Sequence, residues 1–160
     1  MSDLINNHIN RRFNFSYICI AVSAWFEKHK LRGIANWLHI QYLQENNNTI
    51  EFIKFLVDND FPLKFDSVNR VNEFWTKNSE TFDFLYSVQL ELLEETKQIA
   101  AYASADNHFE LYQFMVKYKN YLDETLDYVC RIRENLYASE ASESRISTID
   151  NELSNVFYIS

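Results

Sequence analysis

Glycine and proline are almost absent from this chain of 160 residues, which contains only Gly33 and Pro62. β-Sandwiches, β-barrels and nucleotide-binding α/β folds need many turn glycines, so the composition excludes these classes. Cysteine is also scarce: Cys19 and Cys130 form no CxxC motif. This excludes a disulfide framework and favours two free thiols in a reducing compartment.

Long apolar runs and positive charge are scarce as well. The longest aliphatic run, at 17–22, is too short to span a membrane, and the polar N-terminus lacks the apolar segment of a signal peptide. The chain has 15 basic and 23 acidic residues and a formal net charge of −8, which argues against nucleic-acid binding. We therefore expect a cytoplasmic protein that binds neither nucleic acid nor membranes.

Apolar side chains recur at helical spacing along most of the chain, and they predict helices over about 3–30, 35–59, 79–103, 107–136 and 145–157. Gly33 is expected in the turn after the first helix and Asp106 at the N-cap of the fourth. Residues 59–77 are a long connection, which in a bundle indicates a crossover between parallel helices. The prediction is an all-α four-helix bundle over 3–136, a linker over 137–144 and a short fifth helix, in a single domain over 1–160.

The stretch LQENNNT, at 43–49, lies within the predicted second helix although its composition is typical of a loop. Three consecutive asparagines are typical of a loop, but the apolar period stays in register on both sides of them. Asparagine costs a helix only a few tenths of a kcal/mol, so packing can retain it. We interpret the stretch as helical, with Glu45 and Asn48 facing inward.

Each of the four long helices carries a polar residue at similar depth in the predicted core. Unpaired burial of such groups costs several kcal/mol, so we expect them to meet. They form either a structural polar network or an altered metal site, because di-iron bundles place their ligands in this layer. The residues are Arg12, Glu45, Asn48, Gln89 and Thr125.

Several stretches resemble bacterial non-haem ferritins. Residues 23–38 (SAWFEKHKLRGIANWL) are similar to the end of the family's first helix and the start of its second. Residues 111–118 (LYQFMVKY) resemble the start of its fourth helix, and 147–154 (STIDNELS) resemble its fifth. The resemblance implies a ferritin-like cage of 24 subunits that stores iron, Fe²⁺ and Fe³⁺, without haem.

At the ferroxidase centre, the chain departs from this family. The resemblance places the centre's ligand positions at Arg12, Glu45, Asn48, Gln89 and Leu122, of which only Glu45 keeps the family's residue. The helix-two motif Glu-x-x-His has become Glu-x-x-Asn. At the family's third iron site, only Glu124 remains a carboxylate, the other positions being Gln44, Tyr121 and Thr125.

These departures imply a degenerate ferroxidase centre with slow or absent iron oxidation. A single carboxylate cannot hold two irons, and Arg12 adds a charge that repels Fe²⁺. The guanidinium can instead form a buried ion pair with Glu45. The alternative is a small helix rotation that lets Arg12 reach solvent.

Other candidates are peripheral. Glu51 lies on the helix-two face that looks into the cage in the family, as do Asn47, Lys54 and Asp58, and it could bind iron weakly. The family's channel region corresponds to Asp106, His108 and Glu110, with Tyr112 and Met115 at the helical channel positions. The four histidines, His8, His29, His39 and His108, lack ligand spacing and are expected on the surface.

Three functions remain open from the sequence. The first is a cage subunit for iron storage or sequestration that self-assembles or co-assembles with an active ferritin subunit. The second is a structural or binding cage that does not depend on iron. The third is a ferroxidase with a relocated iron site that uses Glu45, Glu51 or Glu124.

Overall fold

The chain folds into five α-helices, and the computed structural model describes residues 1–71, 75–142 and 144–156. The helices are α1 (Ser2–Lys28), α2 (Arg32–Asp58), α3 (Asn78–Ala105), α4 (Phe109–Ser139) and α5 (Ser144–Leu153). α1 packs on α2, α3 packs on α4, and α1 also contacts α3. The predicted all-α bundle with a short fifth helix is confirmed. In the described ranges, no helix is long and apolar enough to cross a membrane.

Two predictions about the turns are wrong. Gly33 is the second residue of α2, and the left-handed residue of the first turn is Lys30, with φ of 62°. Asp106 is the C-cap of α3, and the N-cap of α4 is His108, because the left-handed Asn107 separates the two helices. The predicted end of the fifth helix, at 157, lies outside the described residues.

The long connection runs along α1 and is held there by three asparagines spaced one helical turn apart. Asn6 donates to the Pro62 carbonyl at 2.9 Å and accepts from the Lys64 amide at 2.7 Å. Asn10 and Asn14 accept backbone amides farther along, from Asp66 at 3.0 Å and Asn69 at 2.7 Å. Each asparagine side chain thereby supplies a hydrogen-bond partner to a backbone group of the connection, which has no helix or sheet partner of its own.

The connection ends at the opposite end of α1 from where it starts. There, the Trp25 indole Nε1 donates to Asn78 at the start of α3, at 2.9 Å. α2 also starts at that end, directly after the turn that follows α1. α2 and α3 are therefore parallel, as the length of the connection predicted.

α5 packs across the start of α2 and also contacts α4. The Ile34 amide donates to Asp150 Oδ1 at 2.9 Å, so Asp150 satisfies one of the free amides at the α2 N-terminus. A Cβ at Gly33 would overlap the Asp150 carbonyl oxygen. The glycine is therefore needed for the close approach of α5, and not for a turn conformation.

The core consists of two apolar clusters. The first apolar cluster contains Phe15, Phe26, Leu38, Phe82 and Leu122, and the second apolar cluster contains Ile5, Ile9, Phe52, Ile99 and Met115. Along α1 and α2, the polar residues Arg12, Glu45 and Thr49 fall between the apolar residues of the two clusters. This layer is the candidate functional site.

Candidate functional site

Arg12 of α1 and Glu45 of α2 form a buried ion pair in the polar layer. Arg12 Nε lies 3.2 Å from Glu45 Oε1. The two residues are only 1% and 0% exposed, respectively. The predicted pair is confirmed, and the alternative in which Arg12 reaches solvent is wrong, because the inward faces of α1 and α2 place both charges on the same layer.

Two aromatic rings contact the guanidinium in addition to Glu45. Its central carbon lies 3.7 Å from the centroid of the Tyr118 ring and 5.4 Å from that of Phe52. Such contacts stabilise a desolvated cation through the negative face of the ring. The charge of Arg12 is thus held by α2 and α4 together.

Glu45 is the acceptor at the centre of the network. Its Oε1 accepts from the Tyr118 hydroxyl at 2.8 Å and from Thr49 Oγ1 at 3.4 Å, in addition to Arg12. Its Oε2 is buried and has no hydrogen-bond partner in the described part of the chain. Burial raises the pKa of Glu45, and the charge of Arg12 and the hydrogen bond from Tyr118 oppose this effect.

His8 completes the layer, and its placement corrects the sequence analysis. His29, His39 and His108 are exposed as expected, but His8 is 0% exposed, because it lies one helical turn before Arg12 on the same face of α1. Neither ring nitrogen has a partner among the described residues. Burial lowers the pKa of His8 well below its usual value, and the charge of Arg12 adds to this effect, so the ring is neutral.

Gln89 of α3 is held by α4 and not by the ion pair. Its Nε2 donates to the Leu122 carbonyl at 3.1 Å and to Thr125 Oγ1 at 2.6 Å. The Leu122 side chain is fully buried in the first apolar cluster. The predicted polar residues therefore form two groups, Arg12 with Glu45 and Gln89 with Thr125.

Asn48 faces the gap between α2 and α4 and not the core. It is half-buried, and the fully buried residue of that turn is Thr49, which donates to the Glu45 carbonyl at 2.8 Å. The expectation that Asn48 faces inward is therefore wrong by one residue. Asn48 still lies beside the site, because it lines a cavity of about 170 Å³ into which Arg12 also reaches.

Two of the three carboxylates suggested for iron binding line the same groove on the α2–α4 face. Glu51 and Glu124 line a groove of about 670 Å³, together with Gln44, Asn47, Lys54, Tyr121 and Thr125. Glu51 is paired with Lys117 at 3.3 Å. No group of three His, Cys, Asp or Glu side chains suited to a metal ion occurs within 1–71, 75–142 and 144–156.

The suggested channel residues divide into surface and core positions. Asp106, His108 and Glu110 are exposed at the turn between α3 and α4, and Tyr112 is 40% exposed. Met115 is fully buried in the second apolar cluster. Since its side chain does not reach the surface of the subunit, its assignment to a channel wall is wrong.

The fold agrees with several solved ferritin structures. An open-pore ferritin from the archaeon Archaeoglobus fulgidus matches with a TM-score of 0.89 and 20% identity, over 98% of this chain and 96% of that one. A humanized archaeal ferritin matches with a TM-score of 0.92 and 18% identity, over 100% and 97%. An iron-soaked PmFTN variant matches with a TM-score of 0.86 and 16% identity, over 94% and 97%.

The sequence also matches a family model over most of its length. The model describes the ferritin-like domain, and it covers residues 2–137, which include all of the four long helices except the last two residues of α4. α5, which lies beyond the matched segment, packs on the same bundle. The chain therefore belongs to the ferritin family and carries its ferritin-like domain.

Proposed function

We propose that this protein is a cage subunit that stores or sequesters iron and oxidises Fe²⁺ slowly or not at all. The observation that carries the proposal is the buried pair of Arg12 and Glu45 in the layer of the expected di-iron centre. A fixed cation there repels Fe²⁺ and occupies the carboxylate that a metal would need. Iron is the cargo, and no haem is expected.

The remaining groups of the layer supply few ligands. Gln89 directs its amide nitrogen towards α4, and amide oxygens bind iron less strongly than carboxylates do. We instead assign weak iron binding to Glu51 and Glu124, which line the groove on the α2–α4 face. Oxidation would then occur outside the subunit or in an active partner subunit.

The assembly proposed for this subunit is a homo-oligomeric cage of 24 subunits in the cytoplasm, open to co-assembly with an active ferritin subunit. Exposed aromatic side chains, such as Phe109 at 71% exposure, support extensive subunit contacts. Light scattering at neutral pH should give the mass of a large shell. A stable monomer or dimer would contradict the cage.

Restoring the missing ligands is the sharpest test. Stopped-flow absorbance should show a burst of Fe²⁺ oxidation that saturates near about two irons per subunit. No single change should suffice, because ligands that act as a unit are not additive. The combined changes are Arg12→Glu, Asn48→His, Gln89→Glu and Leu122→Gln.

The matched control adds Glu45→Gln to the repaired variant and should abolish the burst. Both variants are first shown to assemble. If the assembled repaired variant oxidises iron no faster than the parent, the ligand positions proposed for this centre are incorrect.

A relocated iron site is the second candidate, because Glu51 and Glu124 line the same groove between α2 and α4. If this candidate holds, the parent oxidises Fe²⁺ above the uncatalysed rate, and Glu51→Gln with Glu124→Gln removes that activity. If the parent takes up no iron during expression with added iron, the iron-independent cage is favoured over both.

A further inference from the structure

A small cavity lies between α2 and α4, and Arg12 reaches it from the buried ion pair. Its volume is about 170 Å³, several times the roughly 30 Å³ that one water molecule takes in the liquid. Its walls are the aromatic rings of Phe114, Tyr118 and Tyr121, and its polar lining is Arg12, Asn48, Glu51 and Lys117. The cavity thus combines aromatic walls with two cationic side chains.

Arg12 supplies the buried cation of this cavity. Only Nε of its guanidinium donates a hydrogen bond to a residue in the described ranges, and the acceptor is Glu45. The terminal nitrogens carry four further N–H groups in a rigid plane, a geometry that suits two oxygens of one oxyanion. Because Arg12 is 1% exposed and lines the cavity, a ligand there would meet a largely desolvated cation.

The rim adds a second cation and a neutral donor. Lys117 contributes an ammonium group and Asn48 contributes an amide, whereas the Tyr121 hydroxyl already donates to Gln41 Oε1 at 3.4 Å. Among the described residues that line the cavity, the only carboxylate is Glu51, which pairs with Lys117 at 3.3 Å. Both side chains of that pair are more than half exposed, at 58% and 73%, so the pair contributes little stability and can open to admit an anion.

We propose that this cavity binds one small oxyanion of the phosphate type, held by the terminal nitrogens of Arg12 and by Lys117. An oxyanion suits the site better than a metal ion, because the buried charge that reaches the cavity is positive. The Glu45 carboxylate is engaged behind the guanidinium by Arg12 and Tyr118. Iron is not needed, so the site is tested independently of the proposed storage function.

The experiment is calorimetric titration of the assembled, iron-free protein with inorganic phosphate, at constant ionic strength set with chloride. The parent should bind one phosphate per subunit with a saturable isotherm. Asn48→Asp places a negative charge on the rim, and Lys117→Gln removes a cation, so each should weaken phosphate binding roughly tenfold or more.

Two matched controls make the same chemical changes outside the cavity. Asn47→Asp adds a carboxylate one residue away on α2, and Lys119→Gln removes a lysine that pairs with Asp123 on α4. Both should keep affinity within about twofold of the parent, since neither side chain lines the cavity. Circular dichroism checks that every variant retains its helices.

A neutral replacement of the ion pair tests Arg12 directly. Arg12→Met with Glu45→Gln removes both charges of the buried pair and should abolish saturable binding. Titration with glycerol 3-phosphate distinguishes a free phosphate ion from a phosphate monoester as the ligand. Tighter binding of glycerol 3-phosphate than of inorganic phosphate would identify a phosphate monoester. Absence of saturable phosphate binding in the parent, or equal binding by the parent and all cavity variants, would overturn the proposal.

Discussion

Removing the charge of Arg12 should destabilise the protein through the carboxylate left behind. Arg12→Met preserves much of the apolar volume that packs against Tyr118 and Phe52. Glu45, at 0% exposure, would keep the Tyr118 hydroxyl at 2.8 Å and Thr49 at 3.4 Å, but no compensating cation. Isolating one member of a buried pair costs about 3–5 kcal/mol.

The size of this loss should depend on pH, because Glu45 can avoid the penalty by binding a proton. Burial already raises its pKa, and Arg12 is the first of the groups that oppose this rise, so the variant should raise the pKa further. The folded pKa then lies above the unfolded value of about 4.3. Below the unfolded pKa, the Glu45 carboxyl is protonated in both states and the variant keeps its full stability. As pH rises from the unfolded pKa to the folded pKa, the free energy of unfolding falls by up to about 1.4 kcal/mol per pH unit.

The assay is urea unfolding followed by circular dichroism between about pH 5 and pH 8, at fixed subunit concentration because assembly contributes to stability. The gap between parent and Arg12→Met should widen as pH rises. Arg12→Met with Glu45→Gln should recover most of the loss and remove the pH dependence of the gap. A pH-independent loss below about 1 kcal/mol in the single variant would refute the reasoning, since it would mean that Glu45 is solvated.

Two further predictions concern His8 and Gly33. Because the folded pKa of His8 lies below the unfolded value of about 6.5, folding excludes a proton that the unfolded chain binds, so stability falls as pH drops below about 6.5. Urea unfolding at several pH values should show a smaller loss in His8→Phe. Gly33→Ala would gain up to about 1 kcal/mol from helix propensity alone, but its overlap with Asp150 should reverse the sign to a loss of about 1–3 kcal/mol. Thermal unfolding measures this sign, and faster proteolysis of 139–144 would show that α5 has detached; a stabilised Gly33→Ala variant would contradict the packing role.

Periodicity was sufficient to predict the helices, because each buries one face and a face repeats every three or four residues. It also identified Arg12 and Glu45 as inward residues, although the stretch around Glu45 has the composition of a loop. The inward position was predicted at Asn48 but lies at Thr49. Neighbouring residues on a helix point about 100° apart, and either of these two fits the edge of the inward face of α2. The buried His8 was missed for the same reason, although its spacing of four residues from Arg12 was a usable signal.

The sequence by itself determined the all-α class, the long crossover and the presence of opposite charges at one depth of the bundle. These three features follow from the spacing of apolar and polar residues and from the scarcity of glycine and proline. Both can be read from the order of residues without knowing how the helices pack. Only the tertiary structure decided that the Arg12 guanidinium stacks on Tyr118, that Gln89 turns to Thr125, and that Gly33 makes room for α5. These contacts join residues far apart in the chain, so their distances depend on how the helices pack and rotate against one another.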